Sequence, residues 1–168
     1  MTDAQAQFSW GHVNVNVSDL DRSVAFYELL GFREFMPAIP YLGLVRGELA
    51  PLPQTAVEAL GLPAGTRGRA CILQLDDGFP KLDLTQFEPA SSLAPLSNGD
   101  RVIVRLCLAC ADLDAQVARL RAAGVEFESL PRSGVADLVD IAVCVDPDGT
   151  RIELLRIYPE RWAALAPA

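Results

Sequence analysis

The chain has 168 residues, of which 51% are hydrophobic and 21% are charged, a composition typical of a globular protein with a substantial core. Its 22 acidic residues outnumber its 14 basic residues and give a formal net charge of −8 at pH 7. An acidic protein is poorly suited to a phosphate backbone, and no apolar run reaches the roughly 18 residues of a membrane span. These features exclude disorder, collagen and membrane spanning, and we expect neither nucleic acid nor a membrane as a partner.

The first ten residues, MTDAQAQFSW, lack both the basic and the apolar segment of a secretory signal, so we expect a cytoplasmic protein. A reducing cytosol keeps cysteines as thiols. All four cysteines lie in apolar, strand-like runs and are expected to be buried: Cys71, Cys107, Cys110 and Cys144. Cys107 and Cys110 form a C-x-x-C motif, but residues three apart on a strand point to opposite faces, which argues against a metal or redox pair.

A stretch of 20 residues near the start of the chain recurs 93 positions later. HVNVNVSDLDRSVAFYELLG, from His12, aligns without a gap to RLCLACADLDAQVARLRAAG, from Arg105, with six identical pairs. In each copy, alternating apolar residues give way to apolar positions spaced three and four apart, which predicts a strand followed by a helix. Ser18, with Asp21 three positions later, is predicted to cap the first helix, and Asp112 the second.

Both copies also end alike. LQLDDGFPKLDLTQF and VCVDPDGTRIELLRI each contain an apolar strand, an Asp-Gly turn and a second strand, which is the signature of a hairpin. One further strand is predicted between helix and hairpin, over 32–36 in the first copy and 125–130 in the second. The chain is therefore predicted to form a strand–helix–three-strand unit twice, with two small mixed sheets in an α+β fold.

The two copies predict the domain organisation. The first unit spans 8–88, a linker spans 89–100, the second unit spans 101–158 and a tail spans 159–168 with one helical turn. The first unit carries an insertion at about 41–68 that is rich in Gly and Pro and contains a short helix beginning near Thr55. Such an insertion either covers a site or pads the surface.

The strand pattern also predicts a polar inner face in each unit. In the first strand Val13, Val15 and Val17 share the face that packs against the helices, which leaves the polar residues between them on the other face. The inner polar residues predicted from both copies are His12, Asn14, Asn16, Asp83, Thr85, Arg105, Cys107 and Glu153. Four equivalent positions are expected to converge at one cavity: His12, Asp83, Arg105 and Glu153.

Paired units of this order, with GHVNVNVSDLDRSVAFYELLGF at the start and DPDGTRIELL at the end, resemble the vicinal oxygen chelate superfamily. This is the family of glyoxalases, bleomycin resistance proteins and extradiol dioxygenases, and the resemblance covers roughly 8–157. It implies two tandem βαβββ units that together form one domain, with sheets that curve round a cavity, and it favours a homodimer. The metal enzymes of this family hold a divalent ion at the four convergent positions.

Arg105 is a departure from that family pattern, because the metal enzymes commonly have a second histidine there. A guanidinium has no lone pair to donate and stays protonated. At about 4 Å and an effective dielectric constant near 20, it would repel a divalent ion by several kcal/mol. Arg105 can instead satisfy the carboxylates of Asp83 and Glu153, so no metal cofactor is favoured. The alternative is Fe, Mn, Ni or Zn held by His12, Asp83 and Glu153.

Two main functions follow. The first is binding of a small organic molecule without the complete metal site, by the ligand-contacting residues Arg105, Asn14, Asn16, Thr85 and Cys107. This first function is either sequestration or metal-free acid–base chemistry, with Glu153 and His12 as the candidate catalytic residues. The second is a metal-dependent lyase, isomerase or epimerase, or dioxygenase acting on a vicinal-oxygen substrate, in which a carboxylate shuttles a proton. A third possibility is a collapsed cavity and a surface that binds a protein. The charge of the ligand stays open, because the net charge suits a cation and Arg105 suits an anion.

Overall fold

A computed structural model describes residues 11–90, 94, 96–101 and 103–163, apart from the side chain of Trp162. The chain forms two compact units that divide between residues 92 and 93. The predicted start of the first unit at residue 8, part of the predicted linker and the end of the tail lie outside the described residues. None of the described helices is long and apolar enough to cross a membrane.

The first unit contains a mixed sheet in the order β1-β7-β6-β2, in which β1 is parallel to β7 and the other pairs are antiparallel. β5 pairs with β6, and β3 and β4 form a separate two-stranded sheet. The elements are β1 (His12–Asn16), α1 (Leu20–Leu29), β2 (Phe32–Met36), β3 (Ala38–Ile39), β4 (Leu44–Val45), β5 (Ala50–Pro51), α2 (Gln54–Leu60), β6 (Arg67–Leu75) and β7 (Lys81–Glu88).

The second unit has the same strand order, β8-β11-β10-β9, with β8 parallel to β11. Its elements are β8 (Arg105–Ala109), α3 (Leu113–Ala122), β9 (Phe127–Ser133), β10 (Val139–Val145), β11 (Arg151–Ile157) and α4 (Pro159–Ala163). The predicted strand–helix–three-strand unit is therefore confirmed in both copies. β9 begins later than the predicted 125–130 because the amide of Val125 still bonds the carbonyl of Leu120 in the turn that ends α3.

The apolar side of β1 faces away from its polar side chains, as predicted. Val15 and Val17 are buried, whereas Asn14 and Asn16, which alternate with them along the strand, are exposed. The packing helix α1 buries Leu20, Val24 and Tyr27 among other residues. Burial of these apolar side chains fixes which face of β1 points away from the core, and so positions its polar residues.

Asp19, and not Ser18, is the N-cap residue of α1. Its carboxylate accepts hydrogen bonds from the backbone amides of Asp21 at 3.0 Å and Arg22 at 3.1 Å, and its backbone is extended. The Ser18 hydroxyl instead accepts a hydrogen bond from the Arg22 guanidinium at 2.8 Å. The predicted capping box is therefore wrong by one residue, because the carboxylate that reaches the free amides belongs to the next position.

We expect Asp19→Ala to lower the thermal unfolding temperature at neutral pH and Ser18→Ala to change it little. The backbone hydrogen bond from Arg22 is the main reason that the pKa of Asp19 is lowered from 3.8. A lowered pKa in the folded state means that this stabilisation is complete above 3.8 and is lost as the pH falls through the lowered value. Circular dichroism melts from pH 7 to pH 3 should show the two proteins converging in acid, and a constant difference would contradict the cap.

The insertion of the first unit has a core of its own. Residues from β3, β4, β6, α2 and the segment before α2 bury apolar side chains together: Ile39, Leu44, Leu52, Ala56, Val57 and Ala70. Since Ala70 belongs to β6, this cluster anchors the insertion to the main sheet. The short helix predicted near Thr55 is confirmed as α2.

Candidate functional site

Two adjacent parallel strands place the polar residues of the first unit side by side. Asn14 on β1 is in register with Asp83 on β7, and Asn16 with Thr85. Register partners point to the same face of a sheet, so these side chains share one surface with His12. The Asp83 side chain is almost fully buried, and its Oδ2 lies 3.5 Å from Nε2 of His12, whose side chain is 34% exposed.

A chain of hydrogen bonds holds the Asp83 carboxylate. The Thr85 hydroxyl donates to Oδ1 of Asp83 at 2.7 Å. The Asn14 amide donates to the Thr85 hydroxyl oxygen at 3.2 Å. The other carboxylate oxygen of Asp83 is the one that faces His12. This arrangement orients a buried acid with one oxygen tied to the sheet and the other close to an imidazole.

Burial raises the pKa of Asp83, since a low-dielectric environment disfavours the charged form. The hydrogen bond from Thr85, the charge of His12 and the hydrogen bond from Asn14 each oppose that rise. Partial desolvation also raises the pKa of Tyr41, although this residue is 68% exposed, and the charge of Asp83 adds to the effect. The Tyr41 hydroxyl therefore experiences the field of Asp83.

These residues line a cavity of about 250 Å³. Its polar side comes from β1 and β7, and its apolar side comes largely from the insertion. The lining residues are His12, Asn14, Asn16, Asp83 and Thr85 on the polar side, and Tyr41, Leu42, Leu60, Leu62 and Phe87 on the apolar side. The insertion therefore lines a cavity and does more than cover the surface of the sheet.

Four cavity residues that the insertion contributes were not predicted from the sequence: Tyr41, Leu42, Leu60 and Leu62. The available signal was a set of large apolar residues in a segment otherwise rich in Gly and Pro. In the structure two of these residues, Tyr41 and Leu60, are exposed. Such residues have no strand or helix periodicity that reveals which surface they face.

Gly43 fixes the part of the wall that carries Tyr41 and Leu42. These two residues belong to a short 3₁₀ turn, Pro40–Leu42, which Gly43 ends with a left-handed backbone at φ +67°. A Cβ atom on Gly43 would lie 2.7 Å from Cγ of Pro53. Glycine is required here for two reasons, the backbone conformation and the close approach of a rigid ring.

We expect Gly43→Ala to destabilise the protein more than Gly61→Ala does. Gly61 has nearly the same φ, +63°, but an added Cβ would meet no atom within 4 Å. Both variants carry the left-handed penalty of roughly 1–2 kcal/mol, and Gly43→Ala adds the clash with Pro53. Urea unfolding measures the difference, and the methyl signals of Leu42 should move only in Gly43→Ala. Equal losses of stability would contradict the role of Pro53.

The second unit has an ion pair at the equivalent positions. Nε of Arg105 lies 2.5 Å from Oε2 of Glu153, and Nη1 of Arg105 donates to the side chain of Asn98 at 3.2 Å. The pair links the first residue of β8 to the acid of β11, as His12 and Asp83 link β1 to β7. The expected pairing of Arg105 with Glu153 is confirmed. The expected convergence of all four residues stays a prediction.

The expected burial of the cysteines is confirmed for Cys71 and Cys144, and burial raises the pKa of these thiols to about 12 and about 11. Cys110 is half-buried, and Cys107 is exposed, so the expectation was wrong for Cys107. Cys107 is in register with Glu153 on the polar face of its sheet. Partial desolvation and the Glu153 carboxylate raise the pKa of the Cys107 thiol.

The residues present do not fit the metal site implied by the family resemblance. In the first unit, two donors, His12 and Asp83, lie close together, and in the second the Glu153 carboxylate is bound by Arg105. Within each unit, no group of three His, Cys, Asp or Glu side chains among the described residues is arranged to hold a metal. The guanidinium of Arg105 cannot replace a missing donor.

Comparison with known proteins gives the family. The model of the Glyoxalase/Bleomycin resistance protein/Dioxygenase superfamily matches residues 9–154. No curated protein is similar enough in sequence to count as a match.

Similar solved structures include a glyoxalase family protein from Bacillus cereus, at 18% identity and a TM-score of 0.72 over 94% of this chain and 98% of that one. The trypanothione-dependent glyoxalase I of Leishmania major is 24% identical, with a TM-score of 0.58 over 91% and 89% of the two chains. A glyoxalase/bleomycin resistance protein/dioxygenase domain from Frankia sp. is 18% identical, with a TM-score of 0.60 over 92% and 100%. At these identities the structures show the α+β fold alone. On the family match and this fold, the chain belongs to the Glyoxalase/Bleomycin resistance protein/Dioxygenase superfamily.

Proposed function

We propose that this protein binds a small organic molecule in the cavity of its first unit, without the complete metal site of its family. The observation that carries this proposal is the cavity itself, about 250 Å³ with a polar side on the sheet and an apolar side on the insertion. Sites for small molecules are concave and largely apolar, with a few polar groups that fix orientation. Proteins of this fold commonly bind small-molecule substrates.

The polar side divides into groups that contact the ligand and a group that positions them. Asn14 and Asn16 are exposed at the cavity, and His12 is accessible beside Asp83. Thr85 is buried and its hydroxyl already bonds both Asp83 and Asn14. We therefore assign the Thr85 hydroxyl to holding Asp83 and not to contacting the ligand.

Arg105 and Cys107 lie on β8 of the second unit and are not among the residues that line this cavity, so their predicted contact with a ligand stays a prediction outside this proposal. Glu153 and His12 remain the proposed catalytic residues if the protein catalyses a reaction. Nε of Arg105 lies 2.5 Å from Oε2 of Glu153, so this carboxylate oxygen is already engaged by a cation. His12, close to a buried carboxylate, is the better candidate for a proton acceptor. Binding is thus the better supported part of the proposal.

The cavity proposal is tested by narrowing the cavity from its apolar side. Leu60 is 45% exposed, so Leu60→Trp adds bulk at the wall with little effect on the core. Leu130, in the second unit, is equally exposed at 45% and lies outside the cavity lining, so Leu130→Trp is the matched control. Phenyl fragments whose binding shifts the NMR methyl signals of Leu42 and Leu62 should bind less tightly to Leu60→Trp, whereas their affinity for Leu130→Trp should equal that for the unmodified protein. Equal binding by both variants would contradict the proposal.

A second candidate function is a metal-dependent lyase, isomerase or epimerase, or dioxygenase. Members of the family often use divalent metals, and the proximity of His12 to Asp83 is the observation that favours this candidate. Plasma mass spectrometry of protein purified without chelator or affinity metal distinguishes the two, with Arg105→Ala alongside. We expect no stoichiometric Fe, Mn, Ni or Zn in either protein. Near-stoichiometric metal in the unmodified protein would make the metal enzyme the better proposal.

The proposal also includes a homodimer in the cytoplasm. Proteins of this fold commonly form dimers, and the four cysteines are free thiols, which suits a reducing compartment. Sedimentation equilibrium tests the dimer, because a monomer of 18.1 kDa and its dimer differ twofold in mass.

A further inference from the structure

Resting on the proposed binding function, we infer that the ligand is an organic cation. It carries an ammonium or amidinium group, which donates a hydrogen bond to Asp83, and an apolar body, which packs against the wall of the insertion.

The charges that line the cavity favour a cation. Asp83 supplies a buried carboxylate, and the ionisable residues among the described lining residues are Asp83, Tyr41 and His12, with no Lys or Arg. An anionic ligand would be placed against this carboxylate in a site of low dielectric constant, where repulsion between like charges is strong. A cation is attracted there, and the net charge of −8 favours its approach from solution.

Asp83 lines the cavity, and we assign its Oδ2 atom as the acceptor for a donor from the ligand. Thr85 bonds Oδ1 at 2.7 Å, whereas Nε2 of His12 is 3.5 Å from Oδ2, beyond the usual N–H···O distance. The nearby Lys81 directs its ammonium elsewhere, over the ring of Phe35 at 4.2 Å. A ligand ammonium that reaches Oδ2 would make a charge-assisted hydrogen bond, which is about twice as strong as a neutral one.

The opposite wall is suited to an apolar body, preferably a flat one. Leu42, Leu60 and Leu62 provide aliphatic surface, and Tyr41 provides an aromatic ring that is 68% exposed. An exposed tyrosine at the edge of an apolar wall can pack on an aromatic ligand, and its ring also attracts a nearby cation. The cavity thus has a negative end and an apolar end.

The test compares three probes with one body and different head groups: benzylamine, benzyl alcohol and phenylacetate. Titrations at pH 7 are followed by the methyl signals of Leu42 and Leu62. We expect benzylamine to bind at least about tenfold more tightly than benzyl alcohol, which corresponds to about 1.4 kcal/mol, and phenylacetate to bind most weakly. Equal binding of the three, with the cavity signals shifting, would overturn the cation and leave the proposed cavity intact.

Two variants assign the preference to one carboxylate. Asp83→Asn keeps the size of the side chain and an oxygen that accepts from Thr85, and it should reduce benzylamine binding about tenfold while benzyl alcohol is unaffected. Asp77→Asn, at a fully exposed acid, should change neither. A preference for benzylamine that survives in Asp83→Asn would overturn the assignment. If no probe moves the cavity signals of the unmodified protein, the proposed function itself fails. If Asp83→Asn does not fold, titration of the three probes into the unmodified protein still decides the sign of the ligand's charge.

Discussion

Replacing Thr85 with Val is expected to lower the free energy of unfolding by about 2–3 kcal/mol at pH 7, because a hydrogen bond to a charged group contributes in this range. Val has the shape of Thr, so the change removes the hydroxyl without creating a cavity. Oδ1 of the buried Asp83 loses its donor at 2.7 Å, and Nδ2 of Asn14 loses its acceptor at 3.2 Å. Water cannot readily replace the lost hydroxyl, since Thr85 and Asp83 are 1% and 2% exposed.

A double-mutant cycle separates this interaction from other effects of the substitution. In the Asp83→Asn background the Thr85 hydroxyl donates to a neutral amide oxygen, so Thr85→Val should cost only about 1 kcal/mol. Urea denaturation of the four proteins measures the free energies, with the slopes compared to confirm similar unfolded states. Equal losses in the two backgrounds would show that Thr85 does not act through the charge of Asp83.

The largest loss of stability is expected for Tyr27→Ala, about 3–5 kcal/mol, the range measured for truncation of large buried aromatic residues. Tyr27 is fully buried on α1. Its ring makes edge-to-face contacts with Phe26 at 5.2 Å and with Phe32 at 5.6 Å between centroids. The substitution removes apolar area from the core and leaves a cavity between α1 and β2, which cannot fully close.

Tyr158→Ala is the matched control in the second unit. Tyr158 is half-buried, its hydroxyl donates to Asp140 at 2.6 Å, and its ring lies beneath the guanidinium of Arg161 at 3.9 Å. Its contacts are at the surface, so we expect a clearly smaller loss than for Tyr27→Ala. Thermal and urea unfolding of both variants provide the measurement. Losses of similar size would mean that the aromatic cluster of α1 is not a central part of the core.

Much of the fold was predictable because its determinants are local and repeated. The alternation of VNVNV and LCLAC and the helical spacing after Asp19 and Asp112 predict the strand–helix pairs in both copies. The Asp-Gly turns predict the hairpins. The errors were at boundaries, where the choice between Ser18 and Asp19 as the helix cap depends on backbone angles that a residue type does not specify.

The candidate site was predictable in part. Strand alternation placed His12, Asn14 and Asn16 on the polar face, and the homology of the two copies identified Asp83 and Glu153 as equivalent acids. Alternation also placed Cys107 on the polar face, but the apolar run around it favoured burial, and the structure shows it exposed. The sequence did not predict which residues of the insertion line the cavity.

The sequence by itself determined the repeated units, the family resemblance and the polar face of each sheet, since these follow from short-range periodicity and from motifs of fixed spacing. Only the tertiary structure decided that the insertion forms the apolar wall of a cavity. Only the structure showed that Thr85 holds Asp83, whereas the pairing of Arg105 with Glu153 was predicted from the sequence and is present in the structure. The physical reason is that the cavity joins residues distant in the chain, through a strand register and a loop path that are set by burial of the core. The contact between Thr85 and Asp83 is local, but it depends on side-chain rotamers that residue type does not specify.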